Sequence, residues 1–285
     1  MKTVHLVDPE LRPLLADMPE RVLENSVLPA MREQRQKAAL ESLSQDDGLP
    51  VTVTQHHIPG VEDAPAVRVA VISPQHQRKG RMGILHIHGG GYVLGSPEQS
   101  MPLTRPTAAQ QDCVIVSVDY RLAPETPFPG PLEDCYAALV WMAEQAQELG
   151  IDPAHIGVMG DSAGAGLAAS LALLTRDRGG PKLAFQNLMY PMLDDRTVTD
   201  PNPNPVTGEF SWTREDNRFG WQAYLGHEAG LPEISCYAAA ARAEDPGGLP
   251  PAWIGVGSID LFLDENIEYA RRLIRAGVPV EFSIY

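Results

Sequence analysis

Helical spacing of apolar residues distinguishes the first part of the chain. Leu11, Leu14 and Leu15 recur at the spacing of a helix, and a second helical pattern covers residues 27–43. After Gly48, residues 51–54 alternate between apolar and polar as a half-buried strand does, and residues 66–72 are a further strand candidate. The pattern therefore predicts a helical N-terminal segment that leads into a sheet.

Farther along the chain, short apolar runs alternate with longer helical patterns. The predicted strands are residues 82–88, 113–118, 156–159, 183–189, 252–256 and 279–285. The predicted helices are residues 132–149, 162–175 and 263–276. Continuously apolar strands are typical of a sheet covered on both faces. The alternation of strands and helices predicts an α/β fold with a doubly wound, mostly parallel sheet.

One stretch of the chain does not fit this alternation. Residues 191–248 contain a loop-forming run rich in Pro and Asn, followed by an aromatic-rich helical pattern at 212–225. We expect this stretch to fold with the N-terminal helices as a lid over one edge of the sheet. The predicted organisation is a helical cap in two parts, residues 1–45 and 191–235, and a core of residues 46–190 that continues at 236–285.

Net charge narrows the range of partners. The 285 residues include 22 basic and 37 acidic side chains, which gives a formal net charge of −15. Because no basic stripe is available for phosphates, nucleic acid and anionic membrane surfaces are disfavoured as partners. The longest weakly polar run, residues 163–174, is too short to span a bilayer.

Cysteine content and the first residues bear on the cellular compartment. Three cysteines are an odd and small number, which argues against a disulfide framework and fits a reducing environment. Residues 1–9 lack the continuous apolar core of a signal peptide. These two features predict a soluble, cytoplasmic protein.

The strongest chemical signal is the run Gly160, Asp161, Ser162, Ala163 and Gly164 between a predicted strand and a predicted helix. This is the sequence context of a nucleophile elbow, in which two glycines allow a tight turn and the serine Oγ projects from the strand end. The start of the helix favours negative charge beside that oxygen. A glycine-rich turn without catalytic function is the alternative interpretation.

A second signal is the run of three glycines that begins directly after the strand ending at residue 87. His88 is followed by Gly89, Gly90, Gly91 and Tyr92. Glycines leave backbone N–H groups accessible, and acyl transfer needs such donors where an oxyanion forms. The N–H of Ala163, the residue after the serine, would complete the set. A phosphate cradle is the alternative, but its Gly-x-Gly-x-x-Gly or Lys-Ser/Thr signature is missing.

An acidic residue follows the serine in the chain order expected of a Ser-Asp-His triad. Asp260 comes shortly after the strand at 252–256 and is the preferred candidate, with a helix N-cap as its alternative role. Asp264 and Glu265 fall in the first turn of the next helix, where carboxylates complement the helix dipole.

Histidine spacing does not predict a metal site. His86 and His88 lie two apart on one strand face, but no third ligand follows at a recognisable spacing. The adjacent His56 and His57 point to opposite faces of a strand. We therefore predict no metal site.

With these motifs in place, the chain resembles the hormone-sensitive-lipase-like branch of the α/β-hydrolases. The His-Gly-Gly-Gly run, the Gly-Asp-Ser-Ala-Gly run and the block Asp-Tyr-Arg-Leu-Ala-Pro-Glu at 119–125 match that branch in order. Residues 194–196 and 212–225 resemble its cap. The resemblance covers nearly the whole chain and implies an α/β-hydrolase fold with an eight-stranded, mostly parallel sheet and a helical cap.

The resemblance also implies an activity, a substrate class and roles for residues. Members hydrolyse carboxylic esters, usually of short-chain acids, without a cofactor, and they often form homodimers. Ser162 would be the nucleophile and Asp260 the acid of the triad. The oxyanion would be bound by N–H groups of Gly90, Gly91 and Ala163, with His88, Gly89 and Asp161 as supporting residues.

The catalytic histidine of that branch has no counterpart in this sequence. In the branch it follows the last strand, whereas no histidine here lies after Asp260, and the last one is His227 in the predicted cap. The final helix of the branch is also missing. We expect the sequence to stop short of its general base at Tyr285, so that this chain binds esters but hydrolyses them very slowly. A ligand-binding relative without activity, similar to plant gibberellin receptors, and an amidase or deacetylase are the alternatives.

Overall fold

Eight strands form one sheet in the computed structural model, which describes residues 2–16, 22–44, 48–76 and 78–285. They are β1 (Val51–Ile58), β2 (Val67–Pro74), β3 (Arg81–Ile87), β4 (Val114–Asp119), β5 (Ile151–Asp161), β6 (Gln186–Met189), β7 (Ala252–Val256) and β8 (Val280–Ile284). Their order across the sheet is β1-β2-β4-β3-β5-β6-β7-β8. β2 runs antiparallel to β1 and β4, and the other neighbours are parallel. The predicted eight-stranded, mostly parallel sheet is confirmed.

Seven α-helices connect or cover these strands in the described residues. They are α1 (Arg12–Ala16), α2 (Leu28–Leu43), α3 (Pro97–Gln111), α4 (Gly130–Glu144), α5 (Ala163–Arg178), α6 (Arg214–Leu225) and α7 (Leu263–Arg275). Short 3₁₀ turns lie at Val4–Leu6, Asp195–Val198 and Ala240–Arg242.

The central strands bury both of their faces, as their continuous apolar sequence requires. In β4, Val114 and Val116 belong to the large core that includes Leu139 of α4. The intervening Ile115 belongs to a smaller core on the other face with Ala108 of α3. Successive side chains of a strand point to opposite faces, so one strand contributes to both cores.

Helix α3 is the main element that the apolar pattern did not predict. It contains Pro102 and Pro106, which lack the N–H of a helical hydrogen bond and therefore conceal a helix from pattern analysis. Its C-cap is Asp112, which adopts a left-handed conformation with φ 48°.

Several boundaries also differ from the predictions, three of them near the site or beside it in the sheet. β5 begins at Ile151 rather than at residue 156, because its first residues pair with β3 across an irregularity beside Arg81. α4 ends at Glu144 instead of residue 149, and β6 begins at Gln186 instead of residue 183.

The N-terminal segment contains α1 and α2. Leu14 in α1 and Leu11 just before it are exposed, so the leucine spacing does not correspond to a buried face. In contrast, Leu28 at the start of α2 is buried in the large core, and α2 packs on α3. Of the segment 1–45 assigned to the cap, residues 1, 17–21 and 45 lie outside the described residues.

Candidate active site

Ser162 lies in a sharp turn between β5 and α5. Its backbone has φ 54° and ψ −121°, a conformation that a residue with a Cβ rarely adopts. Its N–H donates to the carbonyl oxygen of Met189 at 2.9 Å, and its own carbonyl accepts from Gly166 at 3.0 Å and Met192 at 3.1 Å. These bonds fix the strained turn, and the Ser162 side chain is only partly buried.

The two outer glycines of the turn are required by close backbone approach. A Cβ added at Gly160 would lie under 3.0 Å from the backbone of Gly164. A Cβ added at Gly164 would lie under 3.0 Å from the carbonyl oxygens of Ile87 and His88. The start of α5 therefore packs directly on the end of β3, which brings the serine next to the glycine run that follows β3.

The glycine run folds back on itself in a left-handed turn. Gly90, Gly91 and Tyr92 have φ of 124°, 61° and 66°. The carbonyl oxygen of Gly90 accepts hydrogen bonds from Val93 at 3.1 Å and Leu94 at 2.9 Å, which closes the turn. Within the described part of the chain, no hydrogen bond from the N–H groups of Gly90 and Gly91 to another protein group is found.

Gly89 and Asp161 join the glycine run to the serine turn. The N–H of Gly89 donates to the carboxylate of Asp161, and a Cβ on Gly89 would lie under 3.0 Å from that carboxylate. Burial raises the pKa of Asp161 to about 6, although the Gly89 N–H acts in the opposite direction. The N–H of Gly89 is thus used by Asp161.

The two histidines of β3 and its end are buried and engaged. The His88 ring stacks on Tyr120 at 4.2 Å, and its Nδ1 lies 2.9 Å from the carbonyl oxygen of Gly89. His86 Nδ1 lies 2.8 Å from Ser117 Oγ. Burial lowers the pKa of both rings, that of His86 to about 3, so both are neutral near pH 7. Among the described residues, no group of three or more potential ligands could hold a metal ion.

Asp260 lies in the turn between β7 and α7 and is partly buried. Its carboxylate accepts the N–H of Phe262 at 2.8 Å, and burial raises its pKa. Tyr190, the residue after Met189, has its pKa raised to about 12 by burial and then by the charges of Asp161 and Asp260. The charges of both carboxylates therefore act on Tyr190, at the end of the sheet where Ser162 lies.

The end of β8 lies beside the same turn. The N–H of Tyr285 donates to Val256 at 3.0 Å, and the N–H of Ser258 donates to the carbonyl oxygen of Tyr285 at 2.7 Å. Carboxyl ends of parallel strands meet at one edge of a sheet, where α/β proteins bind their ligands. The turns after β3, β5 and β7 and the end of β8 therefore share that edge.

Glu265 is a buried structural acid, which its position in a first helical turn did not reveal. Its carboxylate accepts the N–H groups of Leu193 at 2.6 Å and Asp194 at 3.3 Å, as well as the hydroxyl of Thr197. Burial raises its pKa well above 4.5. Asp264, in contrast, is exposed. Glu265 therefore holds the chain that leads from β6 into the predicted cap.

A second buried acid stabilises that chain. Asp195 is fully buried and pairs with Arg242 through contacts of 2.5 and 2.9 Å. Its carboxylate also accepts the N–H of Gly230 at 2.6 Å. The ion pair connects the two ends of the segment that contains α6, so α6 is held over the core.

Residues at the start of α6 contact the glycine run directly. Thr213 and Asp216 form a capping box at the N-terminus of α6. The preceding Trp212 covers Gly91, since a Cβ on Gly91 would lie under 3.0 Å from its indole ring. Tyr224 of α6 stacks on Tyr92 with ring centroids 4.0 Å apart. This part of the predicted cap therefore forms one wall of the site.

No helix among the described residues has the length and apolar character needed to cross a membrane.

Comparison with known families identifies the fold. The pattern of a family described as alpha/beta hydrolase fold matches residues 84–285. The carboxylesterase NlhH of Mycobacterium tuberculosis is 37% identical over 241 residues, which cover 82% of this chain and 74% of that protein. The esterase LipI of the same organism is 40% identical over 199 residues, covering 70% of this chain and 61% of LipI.

Solved structures of esterases superimpose on the chain. A bacterial heroin esterase has a TM-score of 0.91 at 38% identity, covering 99% of this chain and 89% of that structure. The esterase LipW from Mycobacterium marinum has a TM-score of 0.87 at 31% identity, covering 100% of this chain and 87% of LipW.

Proposed function

The chain belongs to the hormone-sensitive-lipase-like branch of the α/β-hydrolases, and on this basis we propose that it is a serine carboxylesterase whose nucleophile is Ser162. The observation that carries the proposal is the strained turn at Ser162, packed through Gly164 against the end of β3. This packing supports a serine hydroxyl close to the left-handed glycine run, which acyl transfer through a covalent intermediate requires. Small-molecule carboxylic esters are the proposed substrates.

The proposed oxyanion donors are the N–H groups of Gly90, Gly91 and Ala163. When Ser162 Oγ adds to the ester carbonyl, the carbonyl oxygen becomes an anion that needs preorganised donors. The left-handed turn of the glycine run, and the packing of the start of α5 against the end of β3, support this assignment. The positive end of the α5 dipole adds to the stabilisation.

Asp260 is the proposed acid of the triad. In such a triad the carboxylate orients an imidazole and stabilises its protonated form, and it does not take the proton itself. The carboxylate of Asp260 lies at the edge of the sheet that also holds the serine turn and the end of β8. A histidine carried a few residues past Tyr285 would therefore enter the site on the side of Asp260.

We propose that no histidine of the 285-residue chain acts as the general base. His86 and His88 are buried, engaged and neutral, and the other six histidines are exposed: His5, His56, His57, His76, His155 and His227. Among the described residues, no partner for the Ser162 hydroxyl is found. Loss of the histidine alone costs about 10⁶ in kcat in subtilisin. The chain should thus bind esters and hydrolyse them slowly.

Steady-state hydrolysis of p-nitrophenyl butyrate tests these proposals. We expect weak turnover that disappears in Ser162→Ala and is unchanged in His227→Ala. Adding a histidine-containing tail after Tyr285 gives a tail-extended chain. Its turnover should be higher by several orders of magnitude if no group of the 285-residue chain acts as the general base. Ordinary esterase rates from the 285-residue chain would show that another group acts as the base. Activity that survives in Ser162→Ala would refute the proposed nucleophile.

A further inference from the structure

Arg32 of α2 makes four hydrogen bonds to the segments around the glycine run. Its Nε donates to the carbonyl oxygen of Val93 at 2.9 Å, and its Nη2 donates to the carbonyl oxygen of Ala123 at 2.7 Å. The guanidinium also forms a two-pronged ion pair with Glu125 at 2.8 and 3.0 Å. The Arg32 side chain is 24% exposed and its bonds to the two carbonyl groups are partly buried, whereas the Glu125 side chain is 60% exposed, so the ion pair faces water.

The carbonyl groups that Arg32 binds belong to the backbone of the proposed oxyanion site. Val93 donates its N–H to Gly90 and so closes the left-handed turn, while its carbonyl faces Arg32. Ala123 donates its N–H to the carbonyl oxygen of Tyr92 at 3.0 Å, and its carbonyl also faces Arg32. One guanidinium therefore bridges both segments that hold the turn.

Gln36, one helical turn after Arg32, extends the same contact surface. Its side-chain oxygen accepts the hydroxyl of Ser96 at 2.6 Å, and its amide donates to Glu98 at 3.2 Å. Residues four apart on a helix lie on the same face. Glu98 is itself buried and paired with Arg68. The face of α2 with Arg32 and Gln36 is therefore fixed to the chain that follows the glycine run.

The turn needs support from outside because its own backbone is strained. Gly90, Gly91 and Tyr92 are three consecutive residues with positive φ, and such conformations persist only where the surroundings hold them. Catalytic donors must also stay within roughly 0.5 Å of their productive position. Through the carbonyl groups of Val93 and Ala123, Arg32 holds the backbone that follows the donors and the segment that is hydrogen-bonded to Tyr92.

We propose that Arg32 is a positioning residue that holds the N–H groups of Gly90 and Gly91 in place for the oxyanion. The N-terminal helix α2 is then part of the catalytic apparatus as well as a cover over the core. The proposal rests on the proposed esterase function. It predicts that loss of Arg32 weakens binding of a tetrahedral anion much more than binding of a planar ligand.

Binding of n-butylboronic acid is a direct test that needs no general base. Ser162 Oγ adds to the trigonal boron, which becomes tetrahedral and anionic as the serine proton is released to solvent, and a boron-bound oxygen takes the oxyanion position. The ground-state control is pentanamide, a planar ligand of similar shape. Affinities for both are measured by calorimetry with wild type, Arg32→Ala and Ser162→Ala. Lys37→Ala is the matched control, because Lys37 lies on the same helix and is exposed.

We expect Arg32→Ala to bind the boronic acid roughly ten- to a hundredfold more weakly, less than the loss of a complete oxyanion donor. Pentanamide affinity should change less than threefold, and Lys37→Ala should equal wild type. Equal boronic acid affinity of Arg32→Ala and wild type would overturn the proposal. Equal losses for both ligands would also overturn it, because they would show only general damage to the pocket.

Two further variants keep the test decisive. Arg32→Lys retains the charge and the alkyl stem but cannot bind Val93, Ala123 and Glu125 together, so it should weaken boronic acid binding severalfold. If Arg32→Ala does not fold, a wild-type affinity in Arg32→Lys overturns the proposal. Glu125→Gln leaves both carbonyl contacts and should have a smaller effect.

If wild-type binding does not depend on Ser162, the proposed function fails, whatever Arg32 does.

Discussion

The indole ring of Trp212 lies directly on Gly91. A Cβ on Gly91 would fall under 3.0 Å from the ring, and the indole N–H is fixed by a 3.2 Å hydrogen bond to the buried Asn217. Gly220 of α6 also lies against Gly91, since a Cβ added at Gly220 would be under 3.0 Å from the carbonyl oxygen of Gly91. The wall formed by the α6 segment is therefore rigid at the point where the reacting carbonyl is proposed to bind.

Removing that wall should widen substrate preference. In Trp212→Ala, we expect kcat/KM for p-nitrophenyl octanoate relative to the butyrate ester to rise about tenfold, because space opens beside Gly91. The relative values are measured across an acyl-length series with the tail-extended chain. Trp141→Ala is the control, since Trp141 packs near His56 on β1. An unchanged length profile in Trp212→Ala would show that another wall sets the limit.

Close packing at Gly164 should make a single methyl group costly. Gly164→Ala places a Cβ under 3.0 Å from backbone oxygens that cannot move aside, so we expect a loss of about 3 kcal/mol or more in the free energy of unfolding. Gly179→Ala, at the other end of α5, meets nothing within 4 Å and carries only the strain of φ 63°. It should cost about 1 kcal/mol. Urea unfolding measures both, and equal costs would contradict the packing argument.

Asp260 should matter only when a histidine is present. A triad carboxylate acts through the imidazole, so Asp260→Asn should change the weak hydrolysis by the 285-residue chain less than about tenfold, while it should cost about 10⁴ in the tail-extended chain. Steady-state rates of the four proteins give the comparison. A large loss in the shorter chain would mean that Asp260 itself takes the proton from Ser162.

Asp161 should make stability depend on pH. Its pKa is raised by burial from 3.8 to about 6, so the folded state binds its proton more tightly than the unfolded state does. The contribution of protonated Asp161 to the free energy of unfolding is fully present below pH 3.8 and is lost as pH rises toward about 6. Asp161→Asn cannot ionise, so its free energy of unfolding relative to wild type should increase over that window and stay constant above it. A difference that is flat with pH, measured by urea unfolding, would contradict the assignment.

The sequence predicted those parts of the site that depend on local backbone crowding. Gly160, Gly164 and the glycine run could be identified because only glycine fits where backbone segments touch. These glycines lie next to one another or close to Ser162 in the sequence, so they form short motifs that can be recognised without the structure. The family resemblance and the fold are confirmed, whereas the catalytic roles of Ser162 and Asp260 stay predictions.

Supporting contacts between distant segments could not be predicted in this way. The three partners of Arg32 lie 61, 91 and 93 residues away, and Leu193, a partner of Glu265, lies 72 residues away. Nothing in the local pattern around an arginine or a glutamate identifies such partners. Helix α3 was hidden for a different reason, because two prolines interrupt the residue types that favour helices.

The most direct test of the central claim is to identify the residue that an activated ester acylates. The 285-residue chain is incubated with p-nitrophenyl butyrate and analysed by intact and peptide mass spectrometry beside Ser162→Ala. Because deacylation also needs a general base, we expect one butyryl group to accumulate on Ser162 and to be absent from Ser162→Ala. A butyryl group on another residue, or equal labelling of both proteins, would contradict the assignment of Ser162 as the nucleophile.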